Sequence, residues 1–169
     1  MAVAWAKDYE LISKDAIWYS ERWERGMVLE NDRGKLVWDF EFHLRKTTTA
    51  RRPDLILEDK EKKKIWICDM ACPQQRNIEA KRLDKLTKYR QLAYETRERR
   101  VGYEVTVVPL IIGALGGGIR QIFVDMGRIF ENNETLKGTI CEMQKTVLMD
   151  SETTTRKVLS GLIQSIDDE

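Results

Sequence analysis

Asp54 and Asp69 stand at the outer ends of two short apolar runs, Leu55-Ile56-Leu57 and Ile65-Trp66-Ile67-Cys68, which flank a charged spacer over 58–64. Apolar runs of this length bounded by polar residues read as strands and the spacer as a solvated turn, so the segment predicts a β-hairpin. Folding that hairpin about its middle sets Asp54, at the start of one strand, beside Asp69, at the end of the other. Two carboxylates so placed repel. A divalent cation relieves the repulsion, because hard Mg²⁺, or Mn²⁺ in its place, prefers oxygen and sits on one or two carboxylates plus phosphate. Lys81, Lys85 and Lys88 follow on one flank of a helix predicted over 76–100. Carboxylates to hold a cation, with a lysine to orient water and offset charge on phosphate, suit metal-dependent phosphodiester hydrolysis. A lysine flank is also the ordinary solvated edge of a helix. Here the short connection over 70–75 forces the first turns of the helix close to Asp69. Lys85 is the first candidate for the catalytic lysine, Lys88 the second, and Lys81 a phosphate or solvent contact.

Other elements must position these residues. Ile17, Trp18, Tyr19, Trp23, Met27 and Val28 recur at helical spacing, predicting a helix over 13–30 that ends at the turn cluster Asn31-Asp32-Arg33-Gly34. Residues 35–44 alternate as a strand, with Leu36, Trp38, Phe40 and Phe42 on one face and Asp39 on the more polar one. His43 is the only histidine, and with Thr47, Thr48 and Thr49 nearby a surface position is expected of it. The helix over 76–100 carries an apolar stripe of Ile78, Leu83, Leu86, Tyr89 and Ala93. Residues 102–113 read as a further strand, with Pro109 marking an edge or bulge. The glycine cluster over 113–118 lacks both the P-loop lysine and the dinucleotide-binding spacing, so a tight strand-to-helix turn is expected. Helices follow over 119–130, 134–148 and 153–166. The order gives an α/β class, with an N-terminal extension over 1–12, a core over 13–130 and a helical C-terminal segment over 131–169.

The order Pro53-Asp54, then Asp69, then lysine resembles the PD-(D/E)xK nuclease superfamily. More narrowly, the chain is similar to the restriction-like endonuclease domain that follows the reverse transcriptase in some non-LTR retrotransposons. In those domains the lysine has left the strand for the next helix, within a KxxKY pattern that Lys85-Leu86-Thr87-Lys88-Tyr89 matches, and Ala71 occupies the superfamily's usual lysine position. The similarity extends to Leu36-Val37-Trp38-Asp39-Phe40 and to a valine-isoleucine-glycine-alanine-leucine-glycine segment near the glycine cluster. It departs at Cys72, where the family prefers valine, and at Arg82, where it tends to have an acidic residue. The resemblance implies a restriction-endonuclease-like core of helix, three-stranded meander, helix and fourth strand, followed by C-terminal helices. It also implies an endonuclease that nicks DNA to prime reverse transcription. Asp54 and Asp69 would hold Mg²⁺, with Glu30 a third acidic group near the metal, although a helix-end or surface role is the plain alternative for Glu30. Gln75, in the connecting loop, is a candidate for holding a water or contacting nucleic acid. The implied partners are DNA and the reverse transcriptase and zinc-finger modules of the same element.

The 169 residues suffice for one domain with a real core, and 34% charged against 42% hydrophobic residues is a globular balance. The N-terminus lacks the order of a signal peptide, and the longest apolar run, over 105–115, is too short to span a bilayer. Cys68, Cys72 and Cys141 are an odd set with no full zinc ligand set, so a reduced intracellular protein is expected, nuclear if it acts on DNA. A net charge of +1 is low for a protein that grips DNA alone. The positive charge is local: Arg45, Lys46, Arg51 and Arg52 lead into Asp54, and 81–100 is rich in lysine and arginine. Arg51, Arg52 and Lys81 are the candidate phosphate contacts. The competing reading is a catalytically inactive remnant that serves as a DNA-binding or structural module.

Overall fold

The structure, a computed structural model, describes residues 1–15, 26–42 and 52–167, with side chains described as far as residue 157. Among the described residues the strands β1 (Val28–Glu30), β2 (Gly34–Trp38), β3 (Leu55–Asp59), β4 (Lys64–Ala71) and β5 (Glu104–Ile111) form one mixed sheet in that spatial order. The first four make an antiparallel meander, and β5 runs parallel to β4. A parallel neighbour cannot be reached by a hairpin. Helices α2 (Ile78–Lys88) and α3 (Arg90–Arg99) supply the crossover. Helices α1 (Ala2–Asp8), α4 (Ile119–Met126) and α5 (Asn133–Asp167) complete the α/β fold. No helix among the described residues is long and apolar enough to cross a membrane.

Period-two alternation sends successive strand residues to opposite faces, and both faces are covered. Leu36, Leu55, Leu57, Trp66, Cys68, Val108 and Leu110 pack with Trp5, Ile122, Met126, Leu136 and Ile140 in the larger core. Val37, Ile56, Ile65, Ile67 and Val105 face the other way, against Tyr89, Leu92 and Ala93. This double burial explains why every residue of β3 is buried, Glu58 and Asp59 included. The solvated spacer expected over 58–64 is therefore shorter than its charges suggest. Glu58 meets Arg100 at 3.2 Å, while Asp59 accepts from the Tyr9 hydroxyl at 2.5 Å and the Lys62 amide at 2.8 Å. The turn is completed by Lys63 in the left-handed region.

Several expected elements differ. The helix predicted over 13–30 falls largely on 16–25, outside the described residues, but its last three residues are strand β1. Asn31 is the reason. Its Oδ1 accepts from the amides of Arg33 and Gly34, at 3.0 and 2.9 Å, and so turns the chain into a hairpin. Strand β2 stops at Trp38 rather than continuing to 44, because Asp39 has φ +46°. His43 lies outside the described residues. The single helix predicted over 76–100 is broken at Tyr89, whose ψ of 6° ends α2 and starts α3. Leu83, placed on the apolar stripe, is exposed. The two helices predicted over 134–166 are one. Thr153, Thr154 and Thr155 each donate a side-chain hydrogen bond to the carbonyl four residues back, at 2.8 to 2.9 Å, so this threonine run continues the helix instead of ending it. Within the N-terminal extension, α1 packs the fully buried Trp5 onto the sheet, its ring stacked on Tyr9 with centroids 4.0 Å apart.

Candidate active site

The β3–β4 register pairs Leu55 with Cys68, so one step further Asp54 stands opposite Asp69. Asp69 is two residues beyond Ile67 and Asp54 two before Ile56, which places both on the face that carries α3. The β3–β4 pairing ends at Leu55, and beyond it the Met70 amide donates to Asp54 Oδ2 at 2.7 Å, fixing that carboxylate at the strand end. Burial raises the Asp54 carboxyl above its ordinary value, the nearby charge of Asp69 raises it further, and the Met70 amide and Lys85 oppose them. Asp69 lies inside β4 with Pro109 of the edge strand opposite it, and is 2% exposed.

The break at Tyr89 turns that ring into the smaller core and brings its hydroxyl to Asp69 Oδ1 at 2.5 Å. The same oxygen lies 2.9 Å from the Arg52 carbonyl and accepts from Lys88 Nζ at 2.8 Å. A phenol has one proton for two acceptors, and the charged carboxylate is the stronger. Burial first, and then Asp69, push the Tyr89 hydroxyl well above the ordinary tyrosine range, so it stays protonated and donates. Lys88 Nζ is 3.9 Å from Asp69 Oδ1, and Lys85 Nζ lies directly against Asp69 Oδ2. The Lys85 side chain is 12% exposed and that of Lys88 37%, so the first is enclosed and the second reaches solvent.

The structure thus brings Asp54, Asp69, Lys85 and Lys88 together. Arg52 is adjacent, but its guanidinium grips Asp39 through two hydrogen bonds. Lys81 is half-buried at residue level and ion-paired to Asp84 at 3.0 Å within α2. Gln75 lies in a 3₁₀ turn over Gln75–Asn77 with its amide against the glycine loop. A Cβ on Gly117 would come 1.8 Å from Gln75 Nε2, so any larger residue there would displace the Gln75 amide. Arg51 lies outside the described residues. Glu30 is not brought to the site. Its register partner Lys35 is level with Glu58 and Ile65, four residues along the strands from Asp54 and Asp69, or about 13 Å away. There Lys60 and Lys35 hold the Glu30 carboxyl at 2.7 and 2.9 Å and lower it to about 2. The third metal ligand expected of Glu30 is corrected accordingly: it sits at the turn end of the hairpin because residues 28–30 are strand, not helix.

Two roles go beyond the sequence reading. Tyr89 stands both on the apolar stripe and at the end of the KxxKY pattern, and because a buried tyrosine must find a partner for its hydroxyl, the two together are the signal for its place in the site. Arg82 pairs with Asp125 of α4, and no local pattern joins residues so far apart in sequence.

Asp54 and Asp69 offer hard oxygen donors under mutual repulsion, which fits Mg²⁺ or Mn²⁺. Compared with known proteins, the chain matches no family model, no curated protein and no solved structure.

Proposed function

We propose that this chain is a metal-dependent DNA endonuclease domain with a restriction-endonuclease-like core, nicking target DNA so that the released 3′-hydroxyl primes reverse transcription of a retrotransposon. The observation that carries this reading is the meeting of Asp54 and Asp69 from adjacent strands with Lys85 and Lys88 from the following helix. The order of the meander β2 to β4, the helical crossover and the parallel β5 supports the same reading. Asp54 and Asp69 would hold Mg²⁺, which when bound supplies charge for a phosphoryl oxygen and a more acidic water. Lys85 is poised to exchange Asp69 for the attacking water or the phosphate, where its fixed charge offsets that developing in the transition state. Tyr89 donates to Asp69 and, with Lys88 donating to the same hydroxyl, holds that carboxylate in place. DNA, and the polymerase and zinc-finger modules of the same element, are the proposed partners, acting in the nucleus.

The second reading, a folded module that binds without cutting, is favoured by one specific observation. Asp69 is already neutralised by Lys85 and hydrogen-bonded by Tyr89, as in a structural ion pair. Nicking of supercoiled plasmid by the parent and by Asp69→Asn, at low salt with Mg²⁺ or Mn²⁺, separates the two. The nuclease reading expects metal-dependent nicking that Asp69→Asn abolishes. A parent that shifts DNA in a gel but never nicks favours the binding module.

A further inference from the structure

Helix α2 carries both lysines of the site, yet none of its residues is buried. A helix on a sheet is normally held by an apolar stripe, and here Ile78 against the glycine loop is the modest equivalent. Two further attachments are polar. Lys85 lies on Asp69, and one turn earlier Arg82 makes a two-pronged contact with Asp125 of α4, Nη1 to Oδ2 at 2.5 Å and Nη2 to Oδ1 at 3.2 Å. Asp125 is 1% exposed and also accepts from Gln121 Nε2 at 3.3 Å. The first attachment cannot hold the helix during the proposed reaction, because Lys85 must then leave Asp69.

We propose that the Arg82–Asp125 pair is the fixed strut of α2: it clamps the helix to α4 while Lys85, three residues on, changes partner. Arg82 and Asp125 are then positioning residues, and this assignment of their purpose rests on the nuclease reading of Lys85. The chemistry suits the task. A guanidinium held through two parallel hydrogen bonds fixes angle as well as distance, which a lysine cannot do, and a buried pair at a helix flank resists sliding. A displacement of about 1 Å at a catalytic group can cost on the order of a hundredfold in rate.

The test is competitive acetylation of the whole metal-free protein, with mass spectrometry reporting Lys85 against the exposed Lys137, alongside single-turnover nicking. In the parent Lys85 is protected. Arg82→Lys keeps the charge but loses the fork. It is expected to raise Lys85 acetylation several-fold with Lys137 unchanged, and to slow nicking by about tenfold to a hundredfold while DNA affinity moves by less than about threefold. Arg82→Gln with Asp125→Asn, a neutral hydrogen-bonding pair, avoids a buried unpaired charge and covers the case in which the single variant fails to fold. The exchange Arg82→Asp with Asp125→Arg is expected to restore protection and rate. Lys85 acetylation at the parent rate in both the Arg82→Lys and the neutral-pair proteins overturns the strut. A parent that does not nick sinks the nuclease reading instead, and the acetylation pattern still decides whether the pair holds α2.

Discussion

Asp54 carries a charge against the preference of its surroundings, and the sign of the resulting pH dependence is fixed. Its carboxyl is raised in the folded protein, first by burial and then by Asp69. At this position the folded state therefore binds the proton more tightly than the unfolded chain, so the contribution of Asp54 to stability is fully present below its ordinary value of 3.8 and is lost as pH rises through the raised folded value. Asp54→Asn removes that loss and keeps an oxygen for the Met70 amide. Without metal it should melt at or above the parent temperature at pH 7, with the advantage fading as pH falls toward 4. A variant that melts well below the parent at pH 7 would show that the charge is wanted there. Tyr89→Phe tests the opposite case, a buried donor that is needed. The ring stays packed, but Asp69 Oδ1 and the Arg52 carbonyl lose their shared hydroxyl, at a cost of about 1–3 kcal/mol by urea unfolding. A change below about 0.5 kcal/mol would mean that water replaces the phenol. Glu30→Gln, four residues down the sheet, should leave the response to Mn²⁺ unaltered; a lost response would return Glu30 to the site.

At the scale of elements, the two central strands were legible because apolar runs bounded by charge have few other readings, and Asp54 and Asp69 were legible with them. The elements misread are those whose cause is a single distant contact. Val28 continues a helical spacing on paper, but the Asn31 side chain closes a hairpin behind it. The unbroken apolar pattern over 76–100 does not show the helix break at Tyr89, which accompanies the bond from its hydroxyl to Asp69. Helix α1 is only seven residues long, and what fixes it is the Trp5–Tyr9 stack lying on Gly34 of β2. A Cβ on Gly34 would fall 2.6 Å from Tyr9 Cδ1, 3.0 Å from Trp5 and 3.1 Å from the Glu58 carbonyl. Since the last of these is backbone, the strain cannot be relieved by a rotamer change alone. Gly34→Ala should cost roughly 1–3 kcal/mol and loosen α1 in hydrogen exchange. An unchanged stability would show that α1 is free to lift.

The whole molecule combines a near-neutral charge with basic groups that are largely engaged: Arg52 by Asp39, Arg82 by Asp125, Lys81 by Asp84. The DNA binding proposed for it should therefore be weak and shallow in salt, with log affinity against log salt sloping no more steeply than about −4. A slope near −8 would reveal a phosphate track beyond the described site. The central claim is that carboxylates from adjacent strands and Lys85 from the crossover helix form one reacting centre. It is tested most directly by single-turnover nicking of supercoiled plasmid at low salt in Mg²⁺, parent against Lys85→Ala, with DNA affinity measured in parallel. A group aimed at developing charge is worth roughly 3 kcal/mol, so Lys85→Ala should nick more than about a hundredfold slower while binding DNA almost as well. Nicking by Lys85→Ala at the parent rate, or none by the parent itself, contradicts the account.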